Sequence, residues 1–563
     1  MNNNNLQIRY IWFVGICFSS LLFLFSGGHV DGVEPALVWT KVHLLHSFEF
    51  PYFSAAICNG FLLGADPINT IFTVTQLLFF FFDNPLDAWR LSAFLVSIFC
   101  AVGSARLFRA MGVREKSAQA VGGWVVTLSG WWVTHIQIGH LATFGIAFLV
   151  WLMVEAIDLA ALEVVHANQT SLFWWRKSIT FAALFFLLIN SGHFWILPGL
   201  FLLTPICGVS GWIIFRKYGL GTLWFVVSTI IFGAGMALAM SAVRFAAIFT
   251  FAVPAFPRSV EIFQVIGDTK VLTFTILRSF FDFTVITRSA HSGMLGSHWE
   301  WAAYMGLVSL PLSLIGIFAV KPRTKWFYVL LVASFLQFIL TRTTHFGELI
   351  RALVPALREI TWFYRGIVVQ VITASFFVAL GIERLTRMTR LPLAAIIFTI
   401  LIVDFSIVYP WPTIEKPTDY FSRFDWRDEF RSGRIIRGQA ADNYCYNPIL
   451  GYTGSSHHSQ VTSGGINEVK KQGFYNINDV RALFSPQGRT AIYKTEPWPL
   501  WPIADREALY KFLQYKQVNE LPTSFLWIRM VSAVGWVGFV LAIVAAARAH
   551  LQNGQWRKIK PVN

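Results

Sequence analysis

The run Ile68–Phe82, INTIFTVTQLLFFFF, decides how the rest of the chain is threaded. It is apolar, but at about 15 residues it falls short of the ~20 that a helix needs to cross a bilayer. Asp66-Pro67 precedes it and Asp83-Asn84-Pro85 follows. Counted as a span, it inverts everything downstream and puts every later basic cluster outside. Read instead as an interfacial or re-entrant helix on the outer face, it leaves those clusters on the cytoplasmic side, where lysine and arginine belong. The segment 270–285, KVLTFTILRSFFDFTV, is read the same way, because Arg278 and Asp282 interrupt it.

With both runs set aside, apolar stretches of spanning length remain near 9–27, 88–106, 118–134, 141–163, 179–192, 194–210, 220–241, 301–320, 326–341, 366–383, 391–409 and 525–547. That is about twelve spans, several needing their polar flanks to reach across. Arg106, Arg109, Arg114 and Lys116 then fall on one side. So do Arg176 and Lys177, Arg216 and Lys217, Lys321, Arg323 and Lys325, Arg384, Arg387 and Arg390, and the tail Arg548, Arg557, Lys558 and Lys560. The expectation is an all-α polytopic protein of the cytoplasmic (inner) membrane with both termini cytoplasmic. Leu6–Phe25 is expected to be a retained anchor, since no clear cleavage site follows it.

Composition agrees: 55% of the 563 residues are apolar, with 54 Phe and 23 Trp. The net charge of +15 sits mostly in the connectors, and no basic helix marks a soluble segment, so nucleic acid is not an expected partner. Cys17, Cys58, Cys100, Cys207 and Cys445 show no metal-ligand spacing, and only Cys58 and Cys445 fall in outer segments. A disulfide between these two is one reading and two unpaired cysteines the other, and the unpaired reading is preferred.

The first outer loop, 26–87, is polar beyond what a connector needs. Between Ser26 and Pro67 it carries His29, Asp31, Glu34, His43, His46, Glu49 and Asp66, in a chain only 13% charged. Asp31 and Glu34 follow the first span closely, so either sits just above the bilayer. There a carboxylate could take a proton from an acceptor hydroxyl, or hold a divalent cation (Mg²⁺ or Mn²⁺) against a phosphate leaving group. A solvated loop acid is the third reading. Asp66, in GFLLGADP, is read both as a catalytic acid and as an N-cap for a helix from Ile68. His43 and His46 share a helical face, but no third ligand is near in sequence.

All histidines except His166 and His550 fall on the outer side or at its boundary. They recur at helix ends: His135 and His140 in LSGWWVTHIQIGH, and His193 in NSGHFW. Polar groups gathered at one membrane face point to an outward-facing cavity. His135 and His140 lie roughly 140° apart around a helix, so they meet only if the helix ends between them. In Thr341–Arg365, Arg351, Arg358 and Arg365 recur every seven residues, against the positive-inside trend. Their planar forks fit phosphate oxygens; pairing with Glu348 and Glu359 on a solvated helix is the alternative.

Three regions follow: a transmembrane core over 1–409, an outer soluble segment over 410–524, and a last helix with a basic tail over 525–563. The outer segment is turn-rich and is expected to be α+β, with a strand over Arg489–Lys494. Its Trp498 and Trp501 are read as interfacial anchors or as platforms for a sugar ring.

These features together resemble the YfhO family of bacterial membrane proteins, within the GT-C glycosyltransferase superfamily. GFLLGADPINTIFTVTQLLFFFF looks like that family's Gly-Phe…Asn-Pro stretch before a short apolar helix. LSGWWVTHIQIGHLATFGIAFLVWL is similar to its Ser-Gly…His…Gly-His segment, and ALREITWFYRGIVVQVITASFFVALGIERL to its aromatic-Arg segment. The resemblance implies transfer of a sugar from a polyprenyl-phosphate donor to an envelope glycan or lipid acceptor on the outer face. It puts Asp31 or Glu34 as base or metal ligand, His135 and His140 at the site, and Arg365 on phosphate. Where the superfamily often has two acids one residue apart, Asp31 and Glu34 are three apart, leaving base and metal use open. A flippase for a lipid-linked precursor and a non-catalytic assembly subunit are the rival readings. A flippase leans on acids at mid-membrane depth, and the nearest such residue is Asp404, close to an outer end.

Overall fold

The computed structural model describes residues 3–24, 78, 81–82, 85–137, 140–161, 170–192, 195–247, 280, 303–319, 325–342, 349, 353, 366–389, 392–409, 459–464, 490–495 and 524–559. In chain order the helices are α1 (Asn3–Phe23), α2 (Pro85–Ala110), α3 (Lys116–Thr127), α4 (Gly130–Gln137) and α5 (Gly145–Ala161). Then come α6 (Thr170–Asn190), α7 (Ile196–Met240), α8 (Ala242–Ala247) and α9 (Ser309–Ala319). The remainder are α10 (Lys325–Arg342), α11 (Val368–Met388), α12 (Leu393–Val408) and α13 (Ser524–Ile559).

Six helical stretches are long and apolar enough to cross a bilayer: Asn5–Phe23, Asp87–Ala110, Ala142–Ala160, Ile196–Met240, Val368–Met388 and Leu526–Arg548. α9, α10 and α12 are apolar but shorter. By length and composition this is a helical membrane protein. Helix covers part of every apolar run picked out from the sequence, with one departure. The run 118–134 is not one helix; it breaks at Leu128-Ser129 into α3 and α4. The runs 194–210 and 220–241 are two helices that meet without a loop within the stretch α7, at Gly219, where φ is +82° and ψ 179°. Near its start α7 also carries a π-helical turn, Gly199–Leu203.

The tightest packing is between α9 and α11. A Cβ built on Gly316 would run into the carbonyl oxygen of Phe377, and one on Gly381 into that of Leu312. Small residues let two backbones touch where lipid supplies no hydrophobic drive between helices. Around this pair, α3 packs on α1, α2 and α11, and α2 on α5. α5, α6 and α7 follow, and α13 lies along α6, α7 and α8. Ala182, Phe186, Met236, Ala237, Met240 and Ala542 form a separate small core where α6, α7 and α13 meet. The rest of α13 shows Trp527, Val534, Val540 and Leu541 to the outside, as a lipid-facing helix would.

Polar contacts sort by end. At one end Arg106 of α2 lies 3.9 Å from Asp158 of α5, and Lys177 of α6 pairs with Glu155 of α5. The backbone N–H of Arg114, just before α3, donates to Glu383 of α11 at 2.8 Å, and Arg387 pairs with the same carboxylate. Three of the basic clusters grouped by sequence are thus held together by the packing. The opposite end carries the residues described next.

A two-stranded antiparallel pair, β1 (Ser459–Gly464) and β2 (Thr490–Thr495), sets Ser459 opposite Thr495 and Gly464 opposite Thr490. β2 falls one residue from the strand expected at 489–494. The other residues of 410–524 lie outside the described ones, as does most of Ile68–Phe82.

Candidate functional site

The α3–α4 break builds the site. α3 ends when Leu128 leaves helical geometry, its N–H still bonded to Trp124 O at 2.8 Å. Ser129 then serves both sides: its hydroxyl donates to Val126 O at 2.8 Å and accepts the Trp132 N–H at 3.4 Å, as an N-cap does. The Ser-Gly pair in LSGWW is therefore a stop and a restart. Gly130 opens α4 by donating its N–H to the carbonyl of Tyr304, 2.6 Å away.

α4 has barely two turns, and its side chains are buried from Gly130 to Ile136. Trp132 is fixed by its indole N–H on Ser97 Oγ of α2 at 2.8 Å. His135 is fully buried, with its ring 4.6 Å from that of Trp131, one helical turn back. Its Nδ1 lies 2.8 Å from Trp131 O; a carbonyl only accepts, so Nδ1 carries the hydrogen and Nε2 the lone pair in the neutral ring.

α4 ends at Gln137, before His140, and this meets the condition under which the two imidazoles can approach. Their ring centroids are 5.5 Å apart. The His140 N–H donates to His135 O at 2.9 Å, and its own carbonyl accepts from Thr143 N at 3.1 Å at the start of a 3₁₀ turn, Leu141–Phe144. Trp131 Nε1 and Thr143 Oγ1, both buried in this run, have no hydrogen-bond partner among the described residues.

A neighbouring group closes the same end. A Cβ on Gly145 would stand 3.2 Å from Ser191 Cβ and 3.3 Å from Trp195, so the start of α5 abuts the end of α6. There Asn190 donates from Nδ2 to Ser241 Oγ at 2.9 Å, and Arg244 donates to Asn190 O at 3.0 Å. Arg244 is only 6% exposed, and Asn190 Oδ1 has no hydrogen-bond partner among the described residues. A cation at the far end of α7 goes against positive-inside placement. That signal is present in the sequence, where the evenly spaced arginines of 341–365 are the more conspicuous set.

Of the residues singled out from sequence, the structure brings His135 and His140 together. Asp31, Glu34, Asp66, His193, Arg351, Arg358 and Arg365 lie outside the described residues, as do His43, His46, Cys58, Cys445, Trp498 and Trp501. Among the described residues no group of three or more His, Cys, Asp or Glu could hold a metal ion. Trp131, Thr143, Asn190 and Arg244 are the additions. Indoles and hydroxyls in a hydrophobic helix look like packing until the fold buries them without a partner.

The fold and this polar end define a helical membrane protein with a buried imidazole pair. No protein-family model matches the chain, and no match was found among characterised proteins or solved structures.

Proposed function

We propose that this protein is a membrane glycosyltransferase. It moves a sugar from a polyprenyl-phosphate donor to an envelope glycan or lipid acceptor on the outer face of the cytoplasmic membrane. In this reading the chain crosses the membrane about twelve times, and the 410–524 segment stands on the periplasmic side. Asp31 or Glu34, with Asp66, supplies the base or a Mg²⁺ or Mn²⁺ ligand. Arg351, Arg358 and Arg365 hold the donor phosphate, and His193 joins His135 and His140 against the substrate.

One observation carries the reading. Trp131, His135, His140 and Thr143 are buried together at the end opposite the basic clusters, and Trp131 Nε1 and Thr143 Oγ1 make no hydrogen bond among the described residues. Unsatisfied buried polar groups are rare because each costs about 1–3 kcal/mol, and they concentrate where a ligand brings the missing partner. An indole donor, a hydroxyl and two imidazoles suit a polyhydroxylated ring. Against a flippase stands Asp404, the nearest acid to mid-membrane, because its carboxylate is bonded by Tyr304 and Leu307 within the protein.

The test is a transfer assay in membranes with a panel of radiolabelled polyprenyl-phosphate sugars, comparing wild type with Asp31→Ala, Glu34→Ala, Asp66→Ala and His135→Ala. Loss of transfer in an acid variant that is made at normal levels supports the enzyme and identifies its base. If no donor is turned over, the flippase reading takes its place.

A further inference from the structure

The carboxylate of Asp404 does not face the imidazoles, yet it is tied to the helix that carries them. Tyr304 donates its hydroxyl to both Asp404 oxygens, at 2.8 and 2.9 Å, and the Leu307 N–H donates to Oδ2 at 2.8 Å. The same Tyr304 uses its backbone carbonyl to receive the first N–H of α4, that of Gly130, at 2.6 Å. A second arm runs from the same end of α12: Tyr409 donates its hydroxyl to Leu128 O, the last carbonyl before the break.

Aromatic packing makes one unit of the two arms. Phe405 meets the Tyr304 ring edge-on at 6.2 Å and stacks on Tyr409 at 5.4 Å, 9° from parallel. Tyr304, Phe405 and Tyr409 are all buried. The bend that brings Leu307 to the carboxylate requires Gly306, at φ +91°, where a Cβ would stand 2.6 Å from Leu401 and 3.0 Å from Asp404 Oδ2. The residues on both sides of the α3–α4 break are thus held from one acid and one tyrosine on α12.

We propose that Asp404 is a positioning residue: through Tyr304 it fixes where α4 begins, and so where His135 and His140 are held. The inference rests on the reading of those histidines as site residues, and it assigns them a support that lies far away in sequence. α4 is too short to hold itself in place by its own hydrogen bonds, since isolated helices below about 12–15 residues are marginal. Its geometry is set from outside, and the Tyr304 carbonyl is the outside partner of its first N–H.

The full-length protein in detergent micelles tests this by hydrogen–deuterium exchange and by the rate at which diethyl pyrocarbonate modifies His135 and His140. The variants are Tyr304→Phe, which keeps the ring and the carbonyl, Asp404→Asn, which keeps one acceptor oxygen, and Asp404→Leu. In Tyr304→Phe and Asp404→Leu, exchange of the 130–136 amides should rise about tenfold and histidine modification should quicken, while 371–379 of α11 exchanges as in wild type. Asp404→Asn should fall between. Unchanged α4 exchange in Tyr304→Phe overturns the proposal. Equal acceleration in α11 overturns it too, because the cluster would then support the whole fold. If wild type transfers no sugar, the proposed enzyme fails, yet the exchange result still decides this point. If transfer is present and α4 is unmoved, only the positioning role fails.

Discussion

Glu383 of α11 accepts a hydrogen bond from the backbone N–H of Arg114, 2.8 Å away, and so ties the start of α3 to the end of α11. The carboxylate is 6% exposed and is also paired with Arg387. A buried acid that accepts a backbone N–H is hard to replace by an apolar group, because that donor loses its partner, whereas the half-exposed Arg387 can turn to water. Glu383→Ala is expected to cost about 2–3 kcal/mol, and Glu383→Gln, whose amide oxygen still accepts, clearly less. Thermal unfolding of the detergent-solubilised protein should rank them in that order.

The close contact of α9 and α11 gives a steric prediction. In Gly381→Ala the new methyl meets the backbone carbonyl of Leu312, which cannot turn aside as a flexible side chain could. The helices must separate, at a cost of about 1–3 kcal/mol from lost packing. Gly538→Ala is the control, since nothing lies within 4 Å of a Cβ there. A melting temperature lowered by the first and untouched by the second is the expected result.

These contacts show what the sequence made legible. Apolar length and the grouping of Arg106, Arg114, Arg176 and Arg387 located the helices and the charged end, because burial and charge placement follow residue type. The α3–α4 break was harder to read. LSGWW lies inside an apolar run of spanning length, and Ser129 and Gly130 are both tolerated within membrane helices. The Tyr304 carbonyl and the Tyr409 hydroxyl, from residues far along the chain, complete the stop and restart that Ser129 begins. His135 and His140 could be picked out as imidazoles at a helix end. Trp131 and Thr143 could not, since nothing local distinguishes a packed indole from an unbonded one.

The ion pairs gather the basic clusters at one end, and the proposed topology puts that end on the inner face. Arg109 at the end of α2 and Met388 at the end of α11 are exposed at the charged end, whereas Leu307 is exposed beside Asp404 at the other. In a background lacking the native cysteines, single cysteines at 109 and 388 should react with an impermeant maleimide only after the inner face is opened. One at 307 should react in intact cells. Labelling of 109 and 388 from opposite sides would separate the clusters that the packing joins.

The last prediction concerns the imidazole pair itself. His135 donates from Nδ1 to Trp131 O, and in the proposed reading Nε2 is the nitrogen that meets the substrate. His135→Asn keeps a donor near the carbonyl and removes the second ring nitrogen; His135→Ala removes both and opens a void beside Trp131. If His135 binds the donor sugar, both variants should raise KM for that donor, by about tenfold for each hydrogen bond worth 1.4 kcal/mol, while kcat changes little. Only the alanine variant should also lose stability. If instead kcat falls by 100-fold or more (roughly the effect of a lost proton-transfer group) with KM unchanged, His135 takes part in the chemistry. The base would then have to be sought at α4 and not in the first outer loop. Steady-state transfer kinetics on the two variants, beside their melting curves, separate binding, chemistry and packing.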